Sequence, residues 1–301
     1  MNILMTGAGG FIGKNFIEYF NRINGGDTLT LLTSKKINGF RCIDYKTHTF
    51  SQNELKSASP FDCILLLGAF VEHHGRNEIE LTRKHLSSVN SIDYLLQNLP
   101  NIPKKIVFCS SISVYGIDST LPYKSANGVL IDENTKVDPV RTYALSKVFA
   151  ERLVQEWCDY HRVECQIIRI GTVYDLSGEQ NNFLGYLIKS VNENSTFKLS
   201  APPHQLWNFV FINDIVRWIL NAVKLEDVAG VLNLVSSENH TTNELISIFE
   251  KNCNSFQYQI MDNVSQRGCD KGFISTKREK YLGEEFNPVS LTIPKMLKEL
   301  K

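Results

Sequence analysis

The segment Thr6-Gly7-Ala8-Gly9-Gly10-Phe11-Ile12-Gly13 constrains this chain more than any other. It follows a short apolar run, Asn2–Thr6, that reads as a β-strand. It precedes Phe16, Ile17, Phe20 and Ile23, which recur at helical spacing. A strand that turns straight into a helix through glycines has a specific geometry. Gly7 permits the tight turn, Gly10 leaves room for a phosphate to approach the backbone, and Gly13 lets the helix pack against the strand. The first N–H groups of such a helix lack intrahelical partners and suit an anion. The expected ligand is a dinucleotide pyrophosphate; the alternative is a strand–helix turn that binds nothing.

Strand and helix signals continue to alternate. Thr28–Thr33 is β-branched and apolar, and Phe61–Phe70 is a continuous apolar run of the kind buried on both faces of a parallel sheet. Helices are expected over about Asn77–Asn98 and Tyr143–His161, and strands over Lys105–Ser110 and Glu164–Val173. In the second helix Leu145, Phe149, Leu153 and Trp157 lie four apart on one face. This rhythm predicts an α/β fold, a Rossmann-type doubly wound parallel sheet. After about Tyr174 the pattern loosens. Strands are expected at Asn208–Ile212 and Val231–Val235, and helices at Thr242–Asn252 and Ile293–Leu300. The expected division is a dinucleotide-binding domain over 1–173 and a smaller substrate-binding lobe over 174–301, interleaved with the first because no linker separates them.

With 301 residues, two domains of roughly 150 each are allowed. Lys and Arg total 32 against 32 Asp and Glu, which argues against nucleic-acid binding and against docking on an acidic membrane. The longest apolar run, Cys63 to Val71, falls well short of the roughly 20 residues that span a bilayer. The N-terminus has no basic region before its apolar stretch, so no signal peptide is expected. The 7 cysteines include no Cys-x-x-Cys pair and several sit in core strands, as expected of reduced thiols in a cytoplasmic protein. The histidines are scattered without ligand spacing, and no metal is expected.

Two further segments carry chemistry. Ser110-Ser111-Ile112-Ser113-Val114-Tyr115-Gly116 closes the Lys105 strand, and Tyr143-Ala144-Leu145-Ser146-Lys147 opens a helix. Tyr143 and Lys147 share a helical face, and an ammonium beside a phenol is expected to lower its pKa from about 10 toward neutrality. A phenol tuned in this way gives or takes a proton, while a nearby serine holds the substrate oxygen. At the end of the second strand, Thr33-Ser34-Lys35-Lys36 offers a hydroxyl and two ammonium groups where an NAD site normally has an acid. NADP is therefore expected in preference to NAD.

Together these segments resemble the extended short-chain dehydrogenase/reductase family, the group of nucleotide-sugar epimerases, dehydratases and reductases. The resemblance covers nearly the whole chain in patches. It implies a catalytic set of Ser111, Tyr143 and Lys147. It also implies cofactor contacts from Gly7, Gly10, Phe11, Ile12, Gly13, Thr33, Ser34, Lys35, Asp44, Gly68 and Ala69, besides Tyr143 and Lys147. On the substrate side it implies Ser111, Ser113, Thr172, Trp207 and Arg267. Arg169-Ile170-Gly171-Thr172-Val173-Tyr174 and Trp207-Asn208-Phe209-Val210-Phe211-Ile212-Asn213-Asp214 are similar to family motifs, but Thr172 stands for an Asn and Trp207 for an Arg. Trp207 is read either as stacking on a base or sugar or as packing. Arg267 is read either as a diphosphate clamp or as the partner of Asp270. The expected activity is NADPH-dependent reduction of a keto nucleotide-sugar, a 4-keto-6-deoxy sugar for example. The alternatives are an NAD-dependent nucleotide-sugar epimerase and, from another class, a non-catalytic NADP sensor. Dehydratase activity is discounted because Ser111-Ile112-Ser113 lacks the acidic pair of that branch. Relatives pair through the Tyr-Lys helix, so a homodimer is expected.

Overall fold

The N-terminal half supplies most of a parallel sheet, seen in a computed structural model that describes residues 1–23, 25–46, 49–68, 77–116, 129–226, 228, 230–262 and 270–299. Its strands are β1 (Asn2–Thr6), β2 (Thr28–Leu32), β3 (Arg41–Ile43), β4 (Cys63–Leu66), β5 (Lys105–Ser111), β6 (Glu164–Ile170) and β7 (Gly230–Leu234). The order across the sheet is β7-β6-β5-β4-β1-β2-β3. The pairs β1–β2, β1–β4, β2–β3 and β4–β5 are parallel, with Leu4 opposite both Thr30 and Ile64. The order reverses beside β1, between β2 on one side and β4 on the other, and it is there that open α/β sheets hold ligands at the carboxyl ends of their strands. This is the doubly wound α/β fold expected from the sequence.

Three helices matter for the site: α1 (Phe11–Ile23), α2 (Glu78–Gln97) and α3 (Thr142–His161). Asn77 caps α2 by accepting the N–H groups of Ile79 and Glu80 at 3.1 and 3.2 Å. Leu4, Ile64, Ile106 and Phe108 of the sheet pack in one cluster with Val89 and Ile92 of α2 and Ala150 and Val154 of α3. The apolar stripe of α3 divides: Leu145 and Phe149 are exposed, Leu153 and Trp157 pack against the core cluster, and the buried face carries Tyr143, Lys147 and Glu151.

Two expected strands are shorter. The run 61–70 is strand only over Cys63–Leu66. The run 164–173 breaks at Gly171, whose N–H donates to Leu234 O at 2.8 Å, and resumes as Thr172–Tyr174 paired in parallel with Phe209–Phe211. A β-carbon on Gly171 would stand 3.1 Å from Leu234 O, so the chain passes this point most easily as glycine.

The described residues fall into two compact units. One comprises Met1–Gly116, Val137–Arg169 and Val216–Leu232, and the other comprises 129–136, 170–215 and 233–299. In the second unit Asn208 donates to Ser236 O and Glu238 O at 3.0 Å, and Asp214 accepts the N–H groups of Phe286 and Asn287. Both motif residues thus hold loop backbone. Among the described residues no helix is long and apolar enough to cross a membrane.

Candidate active site

The carboxyl ends of β1 and β4 meet at the glycine turn. Thr6 Oγ1 accepts the Gly68 N–H at 3.0 Å, which stitches the two strand ends together. Gly7 has φ +79°, and a β-carbon there would lie 2.6 Å from Gly68 N. Gly13, expected against the strand, packs against the turn itself. It lies inside α1, and a β-carbon on it would stand 2.1 Å from the Gly7 carbonyl oxygen. Gly10 closes the turn by donating to Gly7 O at 3.1 Å. Phe11 and Ile12 open α1, which has no acidic residue in its first turn, so its positive end is not offset by a carboxylate there. Beside the turn is a cavity of about 230 Å³ bounded by Gly7, Leu32, Tyr45, Leu66, Gly68 and Ser91. An apolar slot next to an anion-ready helix end fits the adenosine and pyrophosphate of a dinucleotide.

At the end of β2, Thr33 is buried and its hydroxyl accepts the Lys35 N–H at 3.3 Å. Ser34, Lys35 and Lys36 are exposed, as is Asp44 after β3. Ala69 and Arg267 lie outside the described residues, as do the Glu72-His73-His74 segment and the interval 117–128 between Ser111 and Tyr143.

The structure brings Ser111, Tyr143 and Lys147 together within the first unit. Ser111 ends β5 and caps the short 3₁₀ turn Ile112–Tyr115 by accepting the Ser113 N–H at 3.2 Å. Its hydroxyl is also near enough to the Tyr143 phenol to favour the phenolate. Ser113 sits in the same turn, with its hydroxyl oxygen buried. Tyr143 and Lys147 are both buried on α3, and Lys147 Nζ donates to the Cys109 carbonyl at 2.7 Å. The ammonium lies 6.0 Å from the Tyr143 ring centroid and 5.0 Å from that of Phe108.

The electrostatics correct one expectation. The Tyr143 phenol is not lowered toward neutrality; burial pushes it up to about 12, against a smaller opposite effect of the Ser111 hydroxyl. Burial also brings Lys147 down to about 8, although the Glu151 carboxylate opposes it. The sequence argument counted the ammonium but not the loss of water around both groups. In the free protein Lys147 is expected to titrate near pH 8, which pH-dependent trace acetylation of its peptide measures. His85 of α2, which the sequence did not single out, is buried with its ring centroid 5.6 Å from that of Tyr143. Nothing local signals it, because α2 and α3 meet only in the folded chain.

In the second unit, Thr172 pairs in register with Phe209. Trp207 packs: its ring stacks on Phe183 at 4.6 Å and Phe209 at 5.7 Å, and its indole N–H donates to Thr242 Oγ1 at 3.0 Å. Phe183, Tyr186, Lys189, Phe197, Lys198 and Trp207 help to line a cavity of about 630 Å³. Among the described residues no three His, Cys, Asp or Glu side chains gather as a metal site.

A sheet that reverses order at a glycine turn, with a serine, a buried phenol and a lysine beside it, defines a dinucleotide-dependent enzyme of the short-chain dehydrogenase/reductase type. Residues 3–234 match the model of the NAD dependent epimerase/dehydratase family, and the chain belongs to that family. It is 27% identical over 265 residues to the N-acetyl-alpha-D-glucosaminyl-diphospho-ditrans,octacis-undecaprenol 4-epimerase of Escherichia coli O157:H7, covering 84% of this chain and 72% of that one. The structure is similar to that of UDP-glucuronic acid 4-epimerase from Bacillus cereus in complex with UDP-glucuronic acid and NAD, with TM-score 0.79, 19% identity and 100% of each chain covered. It is similar too to UDP-N-acetylglucosamine 4-epimerase from Bacillus cereus, with TM-score 0.76, 20% identity, and 100% of this chain and 98% of that one covered.

Proposed function

We propose that the protein is a sugar 4-epimerase acting on a diphosphate-linked sugar, with NAD as its redox partner and Tyr143 as its acid–base group. The observation that carries this reading is the burial of Tyr143 and Lys147 one turn apart on α3, with Ser111 at the end of β5, in a chain of the epimerase/dehydratase family. The relatives named above are 4-epimerases, and one solved neighbour holds NAD with a nucleotide-sugar. That support favours the epimerase alternative over the NADPH-dependent reduction expected from the end of β2.

NAD, when bound, would supply the hydride acceptor and donor and, in its oxidised form, a positive charge. Tyr143 Oη takes the proton of the sugar 4-hydroxyl as C4 is oxidised. It returns that proton to the same oxygen once the keto sugar presents its other face. Ser111 holds the oxygen in reach. The Lys147 ammonium balances the phenolate, which burial disfavours in the free protein. Ser113, Thr172 and Arg267 are proposed as substrate contacts.

A second reading, NADP-dependent reduction, is favoured by exposed Ser34, Lys35 and Lys36 where an acid is usual. Incubation with UDP-, dTDP- and polyprenyl-diphosphate-linked sugars separates the readings. Interconversion of C4 epimers without added cofactor, and release of NAD on denaturation, are expected. Oxidation of added NADPH by a keto sugar, with no interconversion, would favour the reductase. A dinucleotide-binding protein that turns over no sugar would favour the sensor.

We further propose that the exposed Leu145 and Phe149 of α3 are covered by a second copy of the chain, as the family resemblance implies. Phe149 is 73% exposed. Phe149→Glu is expected to halve the solution mass measured by light scattering; an unchanged mass counts against this face.

A further inference from the structure

The buried face of α3 carries three groups one turn apart: Tyr143, Lys147 and Glu151, exposed by 7%, 5% and 7%. The proton transfer above does not use the third. Its carboxylate is held from two strands. From β6, Arg169 Nε donates to Oε1 at 3.0 Å and Nη2 to Oε2 at 2.7 Å. From β5, Ser110 Oγ donates to Oε1 at 2.5 Å. Arg169 Nη1 also donates to the Tyr115 hydroxyl at 2.8 Å, with the guanidinium 4.8 Å from the ring centroid. Ser110 directly precedes Ser111, so one carboxylate ties the helix bearing the phenol and amine to the strand bearing the serine. A buried ion pair is on average no more stabilising than a well-packed apolar pair of similar size. Its charge has a different use here.

We propose that Glu151 is a positioning residue of the acid–base pair: clamped by Arg169 and Ser110, its carboxylate fixes Ser111 against Tyr143 and gives Lys147 its counter-charge. The proposal rests on the reading of Tyr143 and Lys147 as the acid–base pair. The groups around Lys147 are few. Its own helix brings Tyr143 and Glu151. β5 brings the Cys109 carbonyl, the Phe108 ring and the Cys109 thiol, which burial pushes up to about 12 and so keeps neutral. Tyr115 and Arg169 stand on the other side of Glu151, and α2 brings His85 to the Tyr143 ring. Among these, Glu151 is the carboxylate.

Glu151→Gln keeps the volume and an acceptor for Ser110 but removes the charge and leaves Arg169 without its counter-ion. Lys147 is read in the full chain by pH-dependent trace acetylation and mass spectrometry, which needs no turnover. The midpoint is expected to fall below about 8. The alkaline limb of kcat should fall with it, while KM stays close to wild type. Ser110→Ala, which removes a hydroxyl but no charge, should leave the midpoint in place and lower kcat. If Glu151→Gln does not fold, Glu151→Gln/Arg169→Met removes the guanidinium that the single variant leaves without its counter-ion and carries the same measurement. An unmoved midpoint in a folded variant, or a kcat profile that ignores a moved one, overturns the proposal. A wild-type protein that turns over no sugar, with the midpoint still shifting in the variant, sinks the epimerase reading and leaves the positioning role standing.

Discussion

Replacing Tyr143 with phenylalanine is expected to lower kcat by about 10²- to 10⁴-fold, the usual worth of a positioned acid–base group. The substitution removes one oxygen from a buried ring and leaves the ring's packing, including its contact with His85, in place. Dinucleotide affinity should change little, because the glycine turn and its cavity belong to other segments of the chain. The measurements are epimer interconversion followed by NMR, and NAD binding followed by fluorescence. Undiminished turnover of an accepted substrate by Tyr143→Phe would remove the chemical basis of the proposed function.

Gly13→Ala should have the largest effect on the cofactor side. Its β-carbon would sit 2.1 Å from the Gly7 carbonyl oxygen, and that oxygen is backbone, so no side chain can rotate away. Gly7 cannot yield easily, because it is in the left-handed region and its own neighbour is the Gly68 backbone. Either α1 moves or the turn opens. The expected result is a loss of about 3 kcal/mol in unfolding free energy and a weakening of NAD binding by about 100-fold, or about 2.7 kcal/mol. Gly9→Ala is the control. A β-carbon there would meet nothing within 4 Å, so its stability should stay within about 0.5 kcal/mol of wild type. Denaturant titration and dinucleotide binding of the two variants side by side test the cradle directly. Equal losses from both would mean that the crowding at Gly13 is not what shapes the turn.

How much the sequence revealed depended on whether a feature was local. The strand–turn–helix at residues 2–23 was legible because glycine placement and apolar spacing act within a few residues. The Tyr143–Lys147 pair was legible as helical spacing, and Asn77 and Asn98 bounded α2 nearly as read. Which face of α3 is buried was not legible from its spacing: the helix turns Tyr143, Lys147 and Glu151 inward and leaves Leu145 and Phe149 exposed. The phenol was misjudged because burial is a tertiary quantity; an ammonium can be seen in a sequence, and the loss of water around it cannot. Arg169 was quoted as part of a motif, yet its partners Glu151 and Tyr115 lie 18 and 54 residues away along the chain. The role of Trp207 was left open between stacking on a ligand and packing; its stacking on Phe183 and Phe209 is visible only in the folded chain.

The way the two units share the chain bears on how the protein can be made and cut. The first unit takes its last stretch from Val216–Leu232, after the whole of the second unit's middle stretch, Ile170–Ile215, has been passed. On a ribosome, the sheet cannot gain β7 until residue 234 has emerged, and a nascent chain stopped before that point exposes the edge of β6. No single proteolytic cut can release either unit whole. Separate expression of the halves should therefore yield aggregation-prone fragments rather than two working pieces, and a circular permutant would preserve more of the molecule than a truncation.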